Sequence, residues 1–214
     1  MLTLIRHAES TANAGSATHD PATIPLTRPG HLQAKQLARS AFPSAVGAVW
    51  SSPYLRAVQT ATPTAERYGL TVQELPIHEF TYLCPARCVG TTAGERRQWV
   101  EDYWSRNDPN YIDGPGAESF SMLVWRARDA LCLLEARRNA GHTFAFSHGQ
   151  FLQMIYWLHV YKGDPVSKTG MRGYRALDLQ TPIRHCEGLS VRPTSPTLAA
   201  AVLRWTSRSD VRSV

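Results

Sequence analysis

Three short stretches carry the residues best able to do chemistry: Arg6-His7, Ser51-Ser52-Pro53 with Arg56, and Ser147-His148-Gly149. A histidine beside an arginine sets a ring nitrogen next to a planar cationic fork. That fork matches phosphate or carboxylate oxygens two at a time. Each stretch follows a short apolar run that reads as a buried strand, at residues 2–5, 46–50 and 143–147. In open α/β sheets ligands bind beyond the carboxyl ends of the strands. All three stretches are therefore expected to face one crevice, where two histidines and two arginines would converge. That is the layout of a phosphate site with a nucleophile.

The elements that must position these residues alternate between strand and helix. A helix is expected to open at Thr27-Arg28-Pro29-Gly30, with Thr27 as N-cap and Pro29 in the first turn. A second is expected over 54–68, kinked or shortened at Pro63. Further strands are read at 71–75, 176–179, 189–192 and 198–203, and helices at 95–106 and 150–159. Phe120, Leu123, Val124, Ala127, Leu131 and Leu134 form an apolar stripe at helical spacing. The pattern predicts an α/β fold, a three-layer α/β/α sandwich with a mostly parallel sheet, as a single domain over 1–214. Residues 77–116, rich in Pro and Gly, read as an inserted lid segment over the sheet.

Composition narrows the class. The chain has 214 residues, 43% of them apolar and 19% charged, too apolar for a disordered chain. No apolar run is long enough to span a membrane, and charges at Arg6 and His7 come too early for a secretory leader. A cytoplasmic location and no membrane partner are the expectation. The net charge is +6, and three of the basic residues are Lys (Lys35, Lys162, Lys168), the rest Arg. The excess favours a negative partner. With no basic arm and no recognition motif, no nucleic acid is expected. The tail from Arg204 onward reads as a frayed end. Cys84, Cys88, Cys132 and Cys186 lack the spacing of a zinc site, so no metal and no cofactor are called for, and they read as structural thiols.

Taken together the stretches resemble a known family. Arg6-His7-Ala8-Glu9-Ser10-Thr11-Ala12-Asn13 resembles the Arg-His-Gly-Glu-(Ser/Thr)-x-x-Asn signature of the histidine phosphatase superfamily, the phosphoglycerate-mutase-like enzymes. Ser51 through Ala61 is similar to its second motif, and Leu26 through Ala34 to the helix opening between them. Ala117-Glu118-Ser119 with Arg126, and Phe146-Ser147-His148-Gly149, resemble the last two. The five motifs occur in order over residues 2 to about 160.

The resemblance implies a phosphomonoester hydrolase working through a phosphohistidine on a small phosphorylated metabolite, with inorganic phosphate as product. His7 matches the nucleophile; its second ring nitrogen must then keep a proton on a fixed acceptor. Arg6, Arg56, a proton-bearing His148, Asn13 and Gly149 would surround the phosphate, with the Gln150 amide beside Gly149. Glu79 is the expected general acid, and later the base for water, its pKa raised by burial. Glu9 and Glu118 are rivals for that role, and Glu9 is alternatively an orienting partner for an arginine.

The chain departs from the pattern in four places. Ala8 stands where the family signature has Gly, a cost only if that position needs positive φ. The aromatic segment expected of phosphoglycerate mutases after Asn13 is missing, as is their segment after Glu79, so hydrolysis is favoured over isomerisation. His185 stands where Asn is expected and receives no role. A mutase and a non-catalytic phosphate-ligand or phosphoprotein-binding protein are the alternatives, and a homodimer is left open. His19, His31, His142 and His159 read as surface or helix residues, and His78 more often would not line the site. Trp99, Tyr103 and Trp104 read as a small lid core. Tyr82, Arg87 and Arg97 are weighed equally as surface residues and as contacts to the far end of a substrate.

Overall fold

The computed structural model describes residues 1–40, 45–136, 141–192 and 201–205. Six strands, β1 (Leu2–Arg6), β2 (Val46–Ser51), β3 (Val72–Glu74), β4 (His142–Ser147), β5 (Gly188–Arg192) and β6 (Ala201–Trp205), form one sheet in the order β3-β2-β4-β1-β5-β6. The first four strands in that order are mutually parallel. β5 runs antiparallel to β1, and β6 antiparallel to β5.

Helices cover both faces, giving the three-layer α/β/α architecture. Helices α1 (Arg28–Arg39) and α2 (Leu55–Arg67) pack with Ile5, Val49, Phe144 and Phe146 on one side. On the other side, α5 (Phe120–Ala136), α6 (Gly149–Val160) and α7 (Lys168–Gln180) bury Leu2, Leu4, Ala48, Trp50 and Ala145. Successive strand residues thus go to opposite apolar cores. This is why the strands read as unbroken apolar runs in the sequence. The 77–116 segment carries a short α3 (Pro85–Cys88) and α4 (Arg97–Arg106), and adds Ile77, Phe80, Leu83 and Tyr103 to the second core. Its Thr91 pairs with Thr18 in an isolated antiparallel bridge, tying it to the loop that follows β1. No helix among the described residues is long and apolar enough to cross a membrane.

Several expectations need correcting. The strand expected at 176–179 lies inside α7, capped by Ser167, whose side chain accepts from the Gly170 amide. Met171 and Tyr174, buried at helical spacing, anchor it. Gly170 and Gly173 are both packing glycines. A methyl at Gly173 would come within 2.6 Å of the Trp157 ring, so its absence lets α7 lie against α6. Helix α2 runs through Pro63 to Arg67, because its buried face, from Arg56 to Ala65, packs on the core and outweighs the lost amide bond. The helix expected at 95–106 begins at Arg97, and the strand at 71–75 is confined to Val72–Glu74. α3 was not anticipated. Part of the strand expected at 198–203, residues 198–200, lies outside the described residues, as does the tail beyond 205; Arg204 itself is in β6.

Candidate active site

Strand register brings the three stretches together. Arg6 pairs with Ser147 across β1 and β4, and Ser51 with Phe146 across β2 and β4. One residue further on, the His7 amide donates to Ser147 O (2.9 Å) and the Ser52 amide to Phe146 O (2.8 Å). Three carboxyl ends therefore stand abreast, with His7, Ser52 and His148 on adjacent strand exits.

His7 is buried, 3% exposed, and both of its nitrogens are committed. Nδ1 lies 2.6 Å from Ala8 O. A carbonyl only accepts, so Nδ1 carries the hydrogen and Nε2 keeps a lone pair. Arg56 Nε donates to that lone pair at 3.1 Å. Burial first, then Arg56 and Arg6, hold His7 well below its ordinary pKa, so the ring is neutral. Ala8 meets no backbone penalty: among the described residues, those at positive φ other than glycine are Asn107 and Cys186, and Ala8 donates its amide to Thr60 Oγ1 at 3.0 Å. The substitution expected to cost stability only at positive φ is therefore compatible with this turn.

The two arginines are held by backbone carbonyls. Arg6 Nη1 donates to Ile183 O (2.7 Å), and Arg56 Nη1 to Pro21 O (2.6 Å). Arg56 also lies over the Tyr54 ring, 5.0 Å from its centroid. Gly149 opens α6 against Arg6, where a methyl would stand 3.3 Å from the guanidinium carbon and Nε. His148 is fully buried, its ring centroid 5.1 Å from that of His7. Its Nε2 pairs with Ser52 Oγ at 2.8 Å, and its Nδ1 is buried without a partner. The same holds for Arg6 Nε. The proton-bearing His148 expected from the sequence is disfavoured: burial, then Arg56 and His7, lower its pKa well below the ordinary value. What His148 offers is one N–H of a neutral ring.

Glu79 sits opposite these cations. Its Oε1 accepts from the amides of Phe80 (3.0 Å) and Phe151 (3.2 Å), the latter in the first turn of α6. Desolvation raises its pKa above the ordinary carboxyl value, against the pull of those amides and of Arg56 and Arg6. The rivals are engaged elsewhere. Glu118 is clamped by Arg126 at 2.7 Å through both oxygens, and Arg126 Nη1 holds His78 O at 2.9 Å, fixing the residue before Glu79. Glu9 orients no arginine; it accepts from Thr27 Oγ1 at 2.6 Å and so supports the α1 cap. Asn13 is exposed, and its Oδ1 accepts from the Ser10 amide (3.2 Å) and hydroxyl (2.7 Å), which leaves its NH2 end for an anion.

Arg6, His7, Asn13, Arg56 and Glu79 all line one cavity of about 310 Å³ under the 77–116 segment. His148 and Gly149 do not line it and stand behind its floor. Among the described residues, no group of three or more His, Cys, Asp and Glu side chains is gathered as a metal site would need. Tyr103 is buried among Phe80, Tyr82, Trp104 and Tyr111, as expected of a small aromatic core. Arg87 is paired with Asp113 at 2.6 Å and covers Trp99. Arg97 is exposed, whereas Tyr82 and His19 line the cavity. His142 is a core residue, 5% exposed, paired with Thr3 Oγ1.

Three neighbours of the site were given no role beforehand. Ser52 holds His148, Thr60 holds the Ala8 amide, and Tyr54 backs Arg56. All three lie within the second motif, which was the available signal. His185, left without a role, has its ring 6.0 Å from that of His7, with Nε2 buried and unpartnered.

The comparisons with known proteins agree with this fold. An alpha-ribazole phosphatase from Shigella flexneri superposes with a TM-score of 0.72 at 19% identity, covering 95% of each chain. A mycobacterial glucosyl-3-phosphoglycerate phosphatase superposes at 0.69 and 18%, covering 95% of this chain and 96% of that one. A phosphoserine phosphatase mutant from Entamoeba histolytica, in complex with phosphoserine, gives 0.68 and 19%, covering 97% of each. No curated protein sequence matches the chain. The profile described as histidine phosphatase superfamily (branch 1) matches residues 2–168, so the chain belongs to that family.

Proposed function

We propose that the protein hydrolyses phosphate monoesters of small metabolites, without a metal, through a phosphohistidine formed on His7 Nε2. The observation that carries this reading is the fixed tautomer of His7. Its Nδ1 hydrogen is held by Ala8 O, so a neutral Nε2 lone pair faces the arginines. Nε2 attacks phosphorus, and the P–O bond to the alcohol breaks. Arg56 exchanges its contact with Nε2 for a phosphoryl oxygen. Arg6 Nε, buried and unpartnered, takes another equatorial oxygen, with the Asn13 amide at the rim and the neutral His148 ring packed behind His7. Such charge stabilisation is most of what phosphoryl transfer needs.

Glu79, its pKa raised by burial, gives its proton to the leaving oxygen. The resulting carboxylate then takes a proton from water, which attacks the phosphohistidine and releases inorganic phosphate. Proton and charge balance over the cycle, and Glu79 ends as it began. Hydrolysis is favoured over mutase chemistry because the mutase segments after Asn13 and Glu79 are missing from the chain. The substrates named for the similar structures, alpha-ribazole phosphate, glucosyl-3-phosphoglycerate and phosphoserine, are the natural first members of a test panel. Wild type should hydrolyse members of a phosphoester panel in EDTA, and His7→Ala should hydrolyse none. Equal activity of His7→Ala would overturn the reading, and so would conversion of 3- to 2-phosphoglycerate without phosphate release.

A further inference from the structure

Above its arginine floor the cavity changes character. The loop after β1 contributes Ile24, and the start of α2 contributes Tyr54. The 77–116 segment contributes Phe80, Tyr82, Leu83 and Val100. The two loop segments are fastened by the Thr18–Thr91 bridge, with the Thr18 amide donating to Thr91 O (2.9 Å) and the Gly90 amide to Thr18 O (2.9 Å). The apolar wall is thus one continuous surface rather than two independent loops.

Charge is sparse on that wall. Beyond Arg6 and Arg56, the arginine and carboxylate side chains lining the cavity are Arg96 and Glu79. Arg96 Nη1 is turned onto its own segment, donating to Thr91 O (3.0 Å) and Thr91 Oγ1 (3.2 Å). It thereby braces the residue that makes the bridge. Arg87, the other cation near the short α3, is spent on Asp113. A second anionic group on the substrate would meet Glu79, and the one further guanidinium lining the cavity among the described residues, Arg96, is held on Thr91 through Nη1. An apolar group would instead gain from leaving water, at roughly fourfold in affinity per buried methylene.

We propose that the alcohol half of the substrate is an apolar body, a ring or a chain of several carbons, with no second anionic group, seated against Ile24, Tyr54, Phe80, Tyr82, Leu83 and Val100. This rests on the phosphatase reading above. A cavity of about 310 Å³ holds a body of that size and excludes a folded protein partner.

The test is the series ethyl, butyl, hexyl and 2-phenylethyl phosphate, all esters of primary alcohols, set beside phosphoserine and 3-phosphoglycerate. From ethyl to hexyl, kcat/KM should rise by roughly two orders of magnitude, and 2-phenylethyl phosphate should exceed both anionic esters at least tenfold. Val100→Asp should lower the hexyl-to-ethyl ratio, a quantity independent of the amount of active protein. A flat series, or a preference for the anionic esters, overturns the inference while leaving the phosphatase reading intact. Calorimetry with the matching alkylphosphonates measures the same slope without turnover. If no ester is cleaved, the phosphatase reading fails, and the phosphonate slope still decides for or against the apolar site.

Discussion

Replacing Glu79 by Gln separates proton donation from everything else the carboxyl does. The Gln carbonyl oxygen can keep the amides of Phe80 and Phe151, now at 3.0 and 3.2 Å, so the side chain keeps its place. Its amide then stands where the second carboxyl oxygen faced the cavity, and it has no proton to give. For an alkyl ester, whose alkoxide cannot leave unprotonated, the loss should be about 10²–10⁴-fold in kcat/KM, or about 3 to 5 kcal/mol of barrier. For p-nitrophenyl phosphate, whose phenolate leaves without help, the loss should be under about tenfold. Inorganic phosphate should still inhibit competitively, because the arginine floor is untouched.

The pH profile gives the same test a sign. His7 acts neutral, and its pKa is well below the ordinary value, so activity persists on the acid side. Glu79 acts protonated, and its pKa is raised, so kcat/KM for alkyl esters falls as pH climbs through that raised value. Glu79→Gln should remove this alkaline limb. Stopped assays with both ester types across pH read all of it. Equal losses for the two esters, or an unchanged alkaline limb, would refute Glu79 as the proton donor.

Three further outcomes follow from the packing. Gly149→Ala pushes a methyl to 3.3 Å from the Arg6 guanidinium; a shift of a few tenths of an ångström should raise the phosphate inhibition constant roughly tenfold, less than the ~100-fold of a 1 Å misplacement. Gly188→Ala drives a methyl into Leu4 O where β5 pairs with β1, which should cost about 3 kcal/mol, roughly 6–12 °C in melting temperature, read by calorimetry. His142 is buried neutral with its pKa pushed down to about 4, so the unfolded chain binds the extra proton and stability falls as pH drops from about 6.5 towards 4. His7, His148 and His185 are shifted in the same direction, so His142→Gln should flatten part of that acid limb in chemical denaturation, not all of it.

How much of this was legible in the sequence depended on range. Arg6, His7, Arg56 and His148 were readable because each sits at the end of a buried strand or in the helix turn after it. Glu79 was placed by resemblance, and its carboxylate is now seen accepting from the Phe151 amide in the first turn of α6. What the residues alone did not reveal came from contacts across the fold. The charge state of His148 depends on burial and on Arg56 and His7, brought beside it from distant parts of the chain. Glu9 was weighed as a proton donor or an arginine's partner and instead braces Thr27, a pairing set by the path of the loop into α1. Helix α7 was misread as a strand at 176–179 because the contacts that hold it, such as Gly173 against Trp157 of α6, are announced by no local pattern. The basic excess shows the same limit. Arg6 and Arg56 account for the anion site, while Arg87 and Arg126 are consumed by Asp113 and Glu118.

The central claim is a phosphoryl group carried on His7. Rapid quenching of wild type during turnover of a ³²P-labelled ester should trap label that is stable in base, lost in acid, and located on the peptide containing His7. The His7→Ala protein should trap none. Steady turnover by wild type with no such label, or label that persists in His7→Ala, would contradict the account.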